Sequence, residues 1–235
     1  SVVLDFNIWF FMVFVLLLKY NIQFMYLTQA ITLWKKNIGE SDREYCFFTK
    51  KFGKILVIAK GIRKPNAKLQ GQIEPPCLTN INFITGYNNT LTGALIKNNF
   101  SKIRTSCNAL QTIQHILKLV DQYILFPETD LDLWNILKQT LDILEKTKDR
   151  DTISSLIEYW FEAQLIKHLG FKPLLKETTT NKANINKQTL RSLQILFQEN
   201  INDIIKNGLA EPILNQKNNI QQYLNQLLCK IIQSY

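Results

Sequence analysis

The sequence predicts two domains, a small antiparallel β barrel over residues 25–98 followed by an all-α domain over residues 99–235. Five short runs rich in β-branched and aromatic residues, separated by turn residues, follow Met25 and predict the barrel. After residue 99, apolar residues recur every three or four positions, which is typical of helices. Most of the positive charge lies before this boundary. Residues 25–100 carry 11 Lys or Arg against four Asp or Glu, whereas residues 101–235 carry 16 against 14.

The composition is that of a globular protein. The chain has 235 residues, of which 46% are hydrophobic and 20% charged, with a net charge of +9. This charge permits an acidic partner without requiring one. The four Cys form no CxxC pair, which excludes a disulfide framework and a Cys-rich zinc finger and favours a reduced, cytoplasmic protein.

An uninterrupted apolar run, IWFFMVFVLLL, occupies residues 8–18. It is shorter than the roughly 20 residues of a membrane-spanning helix. The favoured interpretation is that residues 1–24 are an apolar extension outside the native fold and that translation starts at Met25. A membrane anchor and a structured segment are the alternatives.

The strands of the predicted barrel are separated by recognisable turns. Turn residues occur at 37–42 and 51–53, Gly and Pro mark a loop over 61–77, and residues 87–89 join the last two runs in a hairpin. The five strand-like runs are Tyr26–Leu33, Arg43–Lys50, Lys54–Lys60, Leu78–Gly86 and Thr90–Ile96.

The helical domain is predicted to begin with a helix over Ser101–Leu125. Thr129-Asp130 opens a second helix, and Asp151 caps a third that ends before Gly170 and Pro173. Two or three further helices are expected over residues 188–235. Residues 172–187 form a polar loop.

The sequence carries no motif of a known catalytic site. Glycine-rich phosphate loops, GxSxG and HExxH are all absent. The histidines, His115 and His168, are expected to have structural or surface roles, and the carboxylates of residues 142–151 alternate with basic residues as on a solvated helix end. We therefore expect a non-enzymatic protein without catalytic residues, metal site or cofactor.

A basic stretch between Glu44 and Glu74 is the strongest positive signal, because it contains seven basic residues and no acid. Lys54 and Lys60 share a strand parity, so both are predicted to emerge on one side of the third strand. We expect this surface to follow a nucleic-acid backbone, the alternative being that the lysines serve only solubility. Tyr45, Phe47, Phe48 and Phe52 interleave with the basic residues. The favoured interpretation is that each of these rings belongs to the barrel core, and the alternative is that a solvent-facing ring stacks on an unpaired base. The predicted contacts are Lys54, Lys60, Arg63 and Lys64, with Lys50, Lys51 and Lys68 at the margins and Arg43 nearby.

Residues 39–76 resemble the N-terminal domain of RecO, the bacterial recombination mediator. The family pattern has a G-E-x-D-R turn, a T-x-x-x-G-K hairpin and A-K-G-x-R-[RK], followed by Gly and Pro. The matching residues are Gly39, Glu40, Asp42, Arg43, Thr49, Gly53, Lys54, Ala59, Lys60, Gly61, Arg63, Lys64, Gly71 and Pro75. Further on, Trp160-Phe161-Glu162 to Pro173 resembles the family's third long helix and its end.

The resemblance implies an OB-fold barrel and a role in DNA repair and homologous recombination through the RecF pathway. It implies binding of single- and double-stranded DNA, annealing of complementary strands, and assistance to RecA loading on DNA coated by single-strand-binding protein. The implied partners are RecR and the C-terminal tail of single-strand-binding protein, in the bacterial cytoplasm at the nucleoid. Many members carry a four-Cys zinc module that residues 172–187 lack. The alternative function is a membrane-tethered helical adaptor with a basic, lipid-facing domain.

Overall fold

The computed structural model describes residues 24–171, residue 173 and residues 186–234. The apolar run at 8–18 lies outside the described residues, and so does most of the loop at 172–187. Within the part of the chain that is described, no helix is long and apolar enough to cross a membrane.

Five strands form a closed barrel in the order β1-β2-β3-β5-β4. The strands are β1 (Met25–Ile38), β2 (Asp42–Thr49), β3 (Gly53–Ala59), β4 (Leu78–Ile84) and β5 (Thr90–Asn98), with a short 3-10 turn at Gln70–Gln72. The predicted OB-fold barrel is confirmed. β1 continues through residues 34–38, beyond the predicted strand, so the first turn shortens to residues 39–41.

The length of β1 allows the barrel to close. Its first half pairs with β4, from Met25 opposite Ile84 to Ile31 opposite Leu78. Its second half pairs with β2, from Ala30 opposite Thr49 to Ile38 opposite Asp42. A single parallel bridge between Ile58 and Thr90 joins β3 to β5 and completes the ring.

The described residues of the second domain form eight helices. These are α1 (Ser101–Thr105), α2 (Cys107–Tyr123), α3 (Leu131–Lys146), α4 (Arg150–His168), α5 (Lys187–Gln198), α6 (Ile201–Lys206), α7 (Ala210–Leu214) and α8 (Lys217–Ser234).

Three helical predictions need correction. The single helix over 101–125 is two helices, because Ser106 has extended backbone angles and its side chain accepts a hydrogen bond from the Ala109 N–H as the cap of α2. α4 is capped by Asp149 rather than Asp151. Residues 187–234 hold four helices rather than two or three.

The apolar residues of β2 are buried on both faces of the strand. Tyr45 and Phe47 point into the barrel. Cys46 and Phe48 belong instead to the core that the barrel shares with the helices, where the Phe48 ring lies 6.0 Å from that of Trp134. The barrel wall and the helical domain are therefore held together by one apolar core.

Candidate nucleic-acid interface

The segment after β3 carries the exposed basic residues Lys60, Arg63 and Lys64, and we call residues 60–64 the basic loop. It is fixed against the β1–β2 turn by hydrogen bonds. The Gly61 N–H donates to Asp42 Oδ1 over 2.7 Å, and the Arg63 N–H donates to the Ser41 carbonyl over 2.9 Å. The chain thus presents this loop from a defined position at one end of the barrel.

Asp42 is the acidic residue at the centre of this arrangement. The hydrogen bond from Gly61 lowers the pKa of the Asp42 carboxyl, and the Ser41 hydroxyl and the charges of Lys60 and Lys64 act in the same direction. The carboxylate therefore stays ionised and anchors the loop. Its charge also offsets part of the positive potential of the lysines.

Lys68 extends the basic surface. It lines a small cavity of about 200 Å³ together with Lys60 and the barrel residues Ala59 and Leu91. Lys68 is exposed like the three basic residues of the loop. Four of the predicted contacts, Lys60, Arg63, Lys64 and Lys68, thus lie at the same end of the barrel.

The loop between β4 and β5 places an aromatic ring beside the outer face of β3, where Tyr87 helps to line a groove with Lys54 and Glu44. Tyr87 is fully exposed. Asn89, two residues later, is fixed to β3, because its carbonyl accepts from the Ile58 N–H at 2.8 Å and its side-chain amide donates to the Leu56 carbonyl at 2.9 Å. The ring therefore stands in solvent on an anchored loop. The sequence pattern predicts a turn at Tyr87 without assigning the ring a role, although a large aromatic residue at a turn flanked by Gly and Asn is itself a signal of an exposed ring.

Lys54 does not lie on the solvent side, and this prediction is wrong. Its side chain is only 6% exposed. Its ammonium donates to the Asp121 carbonyl over 2.6 Å, lies 3.3 Å from Asp121 Oδ1, and stands 4.3 Å from the centre of the Phe126 ring. The strand parity was correct, but the α2–α3 segment covers this end of β3.

Lys50 and Lys51 are exposed at the other end of β3. The turn that carries them packs against the α2–α3 connection, where a Cβ on Gly53 would lie 1.9 Å from the Glu128 carbonyl oxygen. The seven residues of β3 separate this turn from the basic loop by about 20 Å. These two lysines therefore form a separate patch.

Arg43 is engaged within the protein. Its side chain is 16% exposed and pairs with Glu74 at 3.2 Å, and its Nε donates to Asn37 Oδ1. Glu74 also pairs with Lys35. Arg43 thus stabilises the turn beside the basic loop and has little surface to offer a ligand.

The aromatic rings that interleave with the basic stretch, and that were weighed as rings for base stacking, lie in the core. Tyr45, Phe47 and Phe48 are fully buried. Phe52 is half-buried and packs edge-on against Phe83 at 5.6 Å. The interpretation as core residues is confirmed for the three buried rings, because the barrel interior covers one face of β2 and the core shared with the helices covers the other.

Two cysteines are buried near the junction of the domains. Burial raises the pKa of the Cys46 thiol, and burial likewise raises the pKa of Cys77 to about 11. Both side chains are therefore protonated at neutral pH and are poor nucleophiles.

Comparison with known proteins supports the resemblance. Residues 24–93 match the family model "Recombination protein O N terminal". The chain is 27% identical over 164 residues to a protein named DNA repair protein RecO from Syntrophus aciditrophicus, covering 68% of this chain and 62% of the relative. It is 29% identical over 151 residues to a protein of the same name from Dehalococcoides mccartyi, covering 64% and 58%.

The matched region thus spans about three fifths of the length of these relatives. The similarity to RecO that the motifs predicted is confirmed.

Proposed function

We propose that this RecO-like chain is a non-catalytic DNA-binding protein of repair and recombination. The observation that carries the proposal is the basic loop, which hydrogen bonds hold at one end of the barrel, with the exposed ring of Tyr87 beside the outer face of β3. OB folds bind oligonucleotides with the face of their second and third strands and with the loops that follow the first and fourth strands. Here the β1–β2 turn holds the basic loop, and the β4–β5 loop carries Tyr87.

The exposed basic side chains and the exposed Tyr87 ring suit binding to single-stranded DNA. Lys60, Arg63, Lys64 and Lys68 can neutralise phosphates, and an exposed tyrosine ring can stack on any base. Such contacts carry little sequence information, so we expect binding to depend on salt more than on sequence.

The finer activities rest on the resemblance to RecO. We propose that the chain also binds double-stranded DNA, anneals complementary strands and assists RecA loading on DNA coated by single-strand-binding protein. RecR and the C-terminal tail of single-strand-binding protein are the proposed partners. An annealing assay with two labelled complementary oligonucleotides tests the second activity directly, because strands that anneal no faster with the protein than without it contradict it.

The DNA-binding surface is tested by titrating a labelled oligo-dT at several salt concentrations. Log affinity should fall with log salt, with a slope of about −0.7 for each phosphate neutralised on single strands. The double variant Lys60→Ala/Arg63→Ala should therefore flatten the slope by about 1.4 and weaken binding. The melting temperature should be nearly unchanged, because the hydrogen bond lost from Arg63 Nη1 to the Gly39 carbonyl is exposed to solvent.

The matched control is Lys146→Ala/Lys148→Ala, which removes equal charge from exposed positions at and just beyond the end of α3. This variant should bind DNA like the parent protein. Equal losses in both double variants would mean that only net charge matters, and no loss in either would remove the basic loop from the interface.

A further inference from the structure

Two helices of the second domain bring a histidine and two glutamates together. Glu158 and Glu162 lie one turn apart on the same side of α4, and His115 faces them from α2. His115 Nε2 lies 2.8 Å from Glu162 Oε1 and 3.8 Å from Glu158 Oε1. The three ligand atoms all lie within 4.8 Å of one another. We call these residues the His-Glu cluster.

Glu162 is the unusual member of the cluster, because its side chain is 0% exposed. Its Oε1 is bonded to His115, but its Oε2 is buried and has no hydrogen-bond partner among the described residues. A buried carboxylate oxygen without a partner is costly, and in native proteins it commonly indicates a water molecule or an ion.

The charges of the cluster do not balance among its own three residues, and the cation that acts on His115 from the same helix is the exposed Lys118. Two carboxylates face a single imidazole, and the hydrogen bond that Glu158 accepts comes from the neutral hydroxyl of Thr112 at 3.2 Å. A protonated His115 would offset one carboxylate and leave the other uncompensated. A divalent cation would neutralise both carboxylates and take the neutral imidazole as its third ligand.

The spacing of the atoms suits such a cation. Tetrahedral zinc with ligands at about 2.0–2.1 Å requires ligand atoms about 3.3–3.4 Å apart. The observed separations of 2.8 and 3.8 Å lie on either side of this value. His115 is 38% exposed and Glu158 23%, so a cation can enter from solvent and keep a water as its fourth ligand.

The donor set selects the class of metal. One imidazole nitrogen with two carboxylate oxygens suits zinc and other divalent transition metals, whereas magnesium and calcium prefer oxygen ligands alone. We propose that His115, Glu158 and Glu162 form a binding site for one divalent transition-metal cation, which joins α2 to α4. This inference departs from the expectation of a metal-free chain and is independent of the proposed DNA binding.

The test uses the full chain after treatment with a chelator, titrated with Zn²⁺ and, separately, with Mg²⁺. We expect one Zn²⁺ per chain by equilibrium dialysis and elemental analysis, and no saturable Mg²⁺ binding. Zn²⁺ at about 100 times its dissociation constant should raise the melting temperature by roughly 5–10 °C. Co²⁺ should give visible absorption bands without the sulfur-to-cobalt charge-transfer band that a cysteine ligand would produce.

Variants identify the ligands. Glu162→Gln keeps the shape of the buried side chain, and Glu158→Gln changes a partly exposed one, so at least one of them should fold. Each should weaken Zn²⁺ binding by about tenfold or more and, at the same Zn²⁺ concentration, reduce the thermal shift to about half or less. The controls are Cys107→Ser/Cys229→Ser, which removes the two exposed thiols, and His168→Gln, which removes the histidine paired with Asp130.

Both controls should keep the full affinity for Zn²⁺. The proposal is overturned if no stoichiometric Zn²⁺ is bound, if a control loses the site, or if a folded Glu158 or Glu162 variant retains the parent affinity.

Discussion

Lys54 provides the sharpest test of how the barrel is joined to the helices. It is the cationic residue of β3, and its ammonium contacts Asp121 and Phe126 from the helical domain. We predict that Lys54→Met destabilises the protein without changing the salt dependence of DNA binding. Methionine keeps most of the buried aliphatic stem, so the variant isolates the effect of the ammonium.

The contacts of the ammonium set the expected loss. Hydrogen bonds to a charged group contribute about 1.5–3 kcal/mol, and a desolvated cation over an aromatic ring about 1–2 kcal/mol. The Asp121 carboxylate is 31% exposed and regains water when Lys54 is removed, so its ion pair adds little. We expect the free energy of unfolding to fall by about 2–4 kcal/mol.

Urea denaturation measures this loss, and the oligo-dT titration measures the salt slope. The matched control is Lys60→Met, the same substitution just beyond the other end of β3, where the side chain is exposed. It should change stability by less than about 0.5 kcal/mol and flatten the slope by about 0.7. A flatter slope with unchanged stability in Lys54→Met would contradict the buried and paired environment of this lysine.

Three further changes probe the interface and its supports. Tyr87→Ala should weaken binding to oligo-dT by about 1–3 kcal/mol, because the stacking contact is lost. Tyr87→Phe keeps the ring and should bind like the parent protein, so equal binding by both variants would exclude stacking. Asp42→Asn keeps an oxygen acceptor for the Gly61 N–H but removes the negative charge beside the lysines. The affinity for oligo-dT at low salt should therefore rise about threefold. A fall in affinity would mean that the ionised carboxylate is needed to hold the loop. Gly53→Ala should destabilise the protein by about 3 kcal/mol in thermal or urea unfolding, because its φ of +63° is left-handed and the new Cβ would meet the Glu128 carbonyl; a near-neutral effect would contradict this close approach.

Local sequence signals were sufficient for most of the fold. The turns at Gly39–Ser41 and Gly53, the strand parity of β3 and the cap at Asp130 are set by neighbouring residues. The break at Ser106 was missed because apolar spacing continues across it, and only the serine itself indicates a new cap. Periodicity finds the buried face of a helix but does not reveal a one-residue interruption.

The environment of each basic residue could not be obtained in the same way. Strand parity correctly places Lys54 on the outer face of the barrel, but parity does not say whether solvent or another domain lies beyond that face. Asp121, which is 67 residues from Lys54 in the sequence, covers the Lys54 ammonium. The same limit applies to the His-Glu cluster, whose histidine and Glu162 are 47 residues apart on different helices.

The division of the basic stretch has a physical consequence for DNA binding. Lys50 and Lys51 lie about 20 Å from the basic loop, whereas the Debye length at physiological salt is about 8 Å. The outer face of β3 lies between the two patches. Its lysine, Lys54, is already paired with Asp121, and its groove of about 280 Å³ is lined in part by the acidic Glu44. A phosphate backbone would therefore gain little by following β3 itself. The basic stretch acts as two separate patches, and the exposed ring of Tyr87 borders the groove that lies between them.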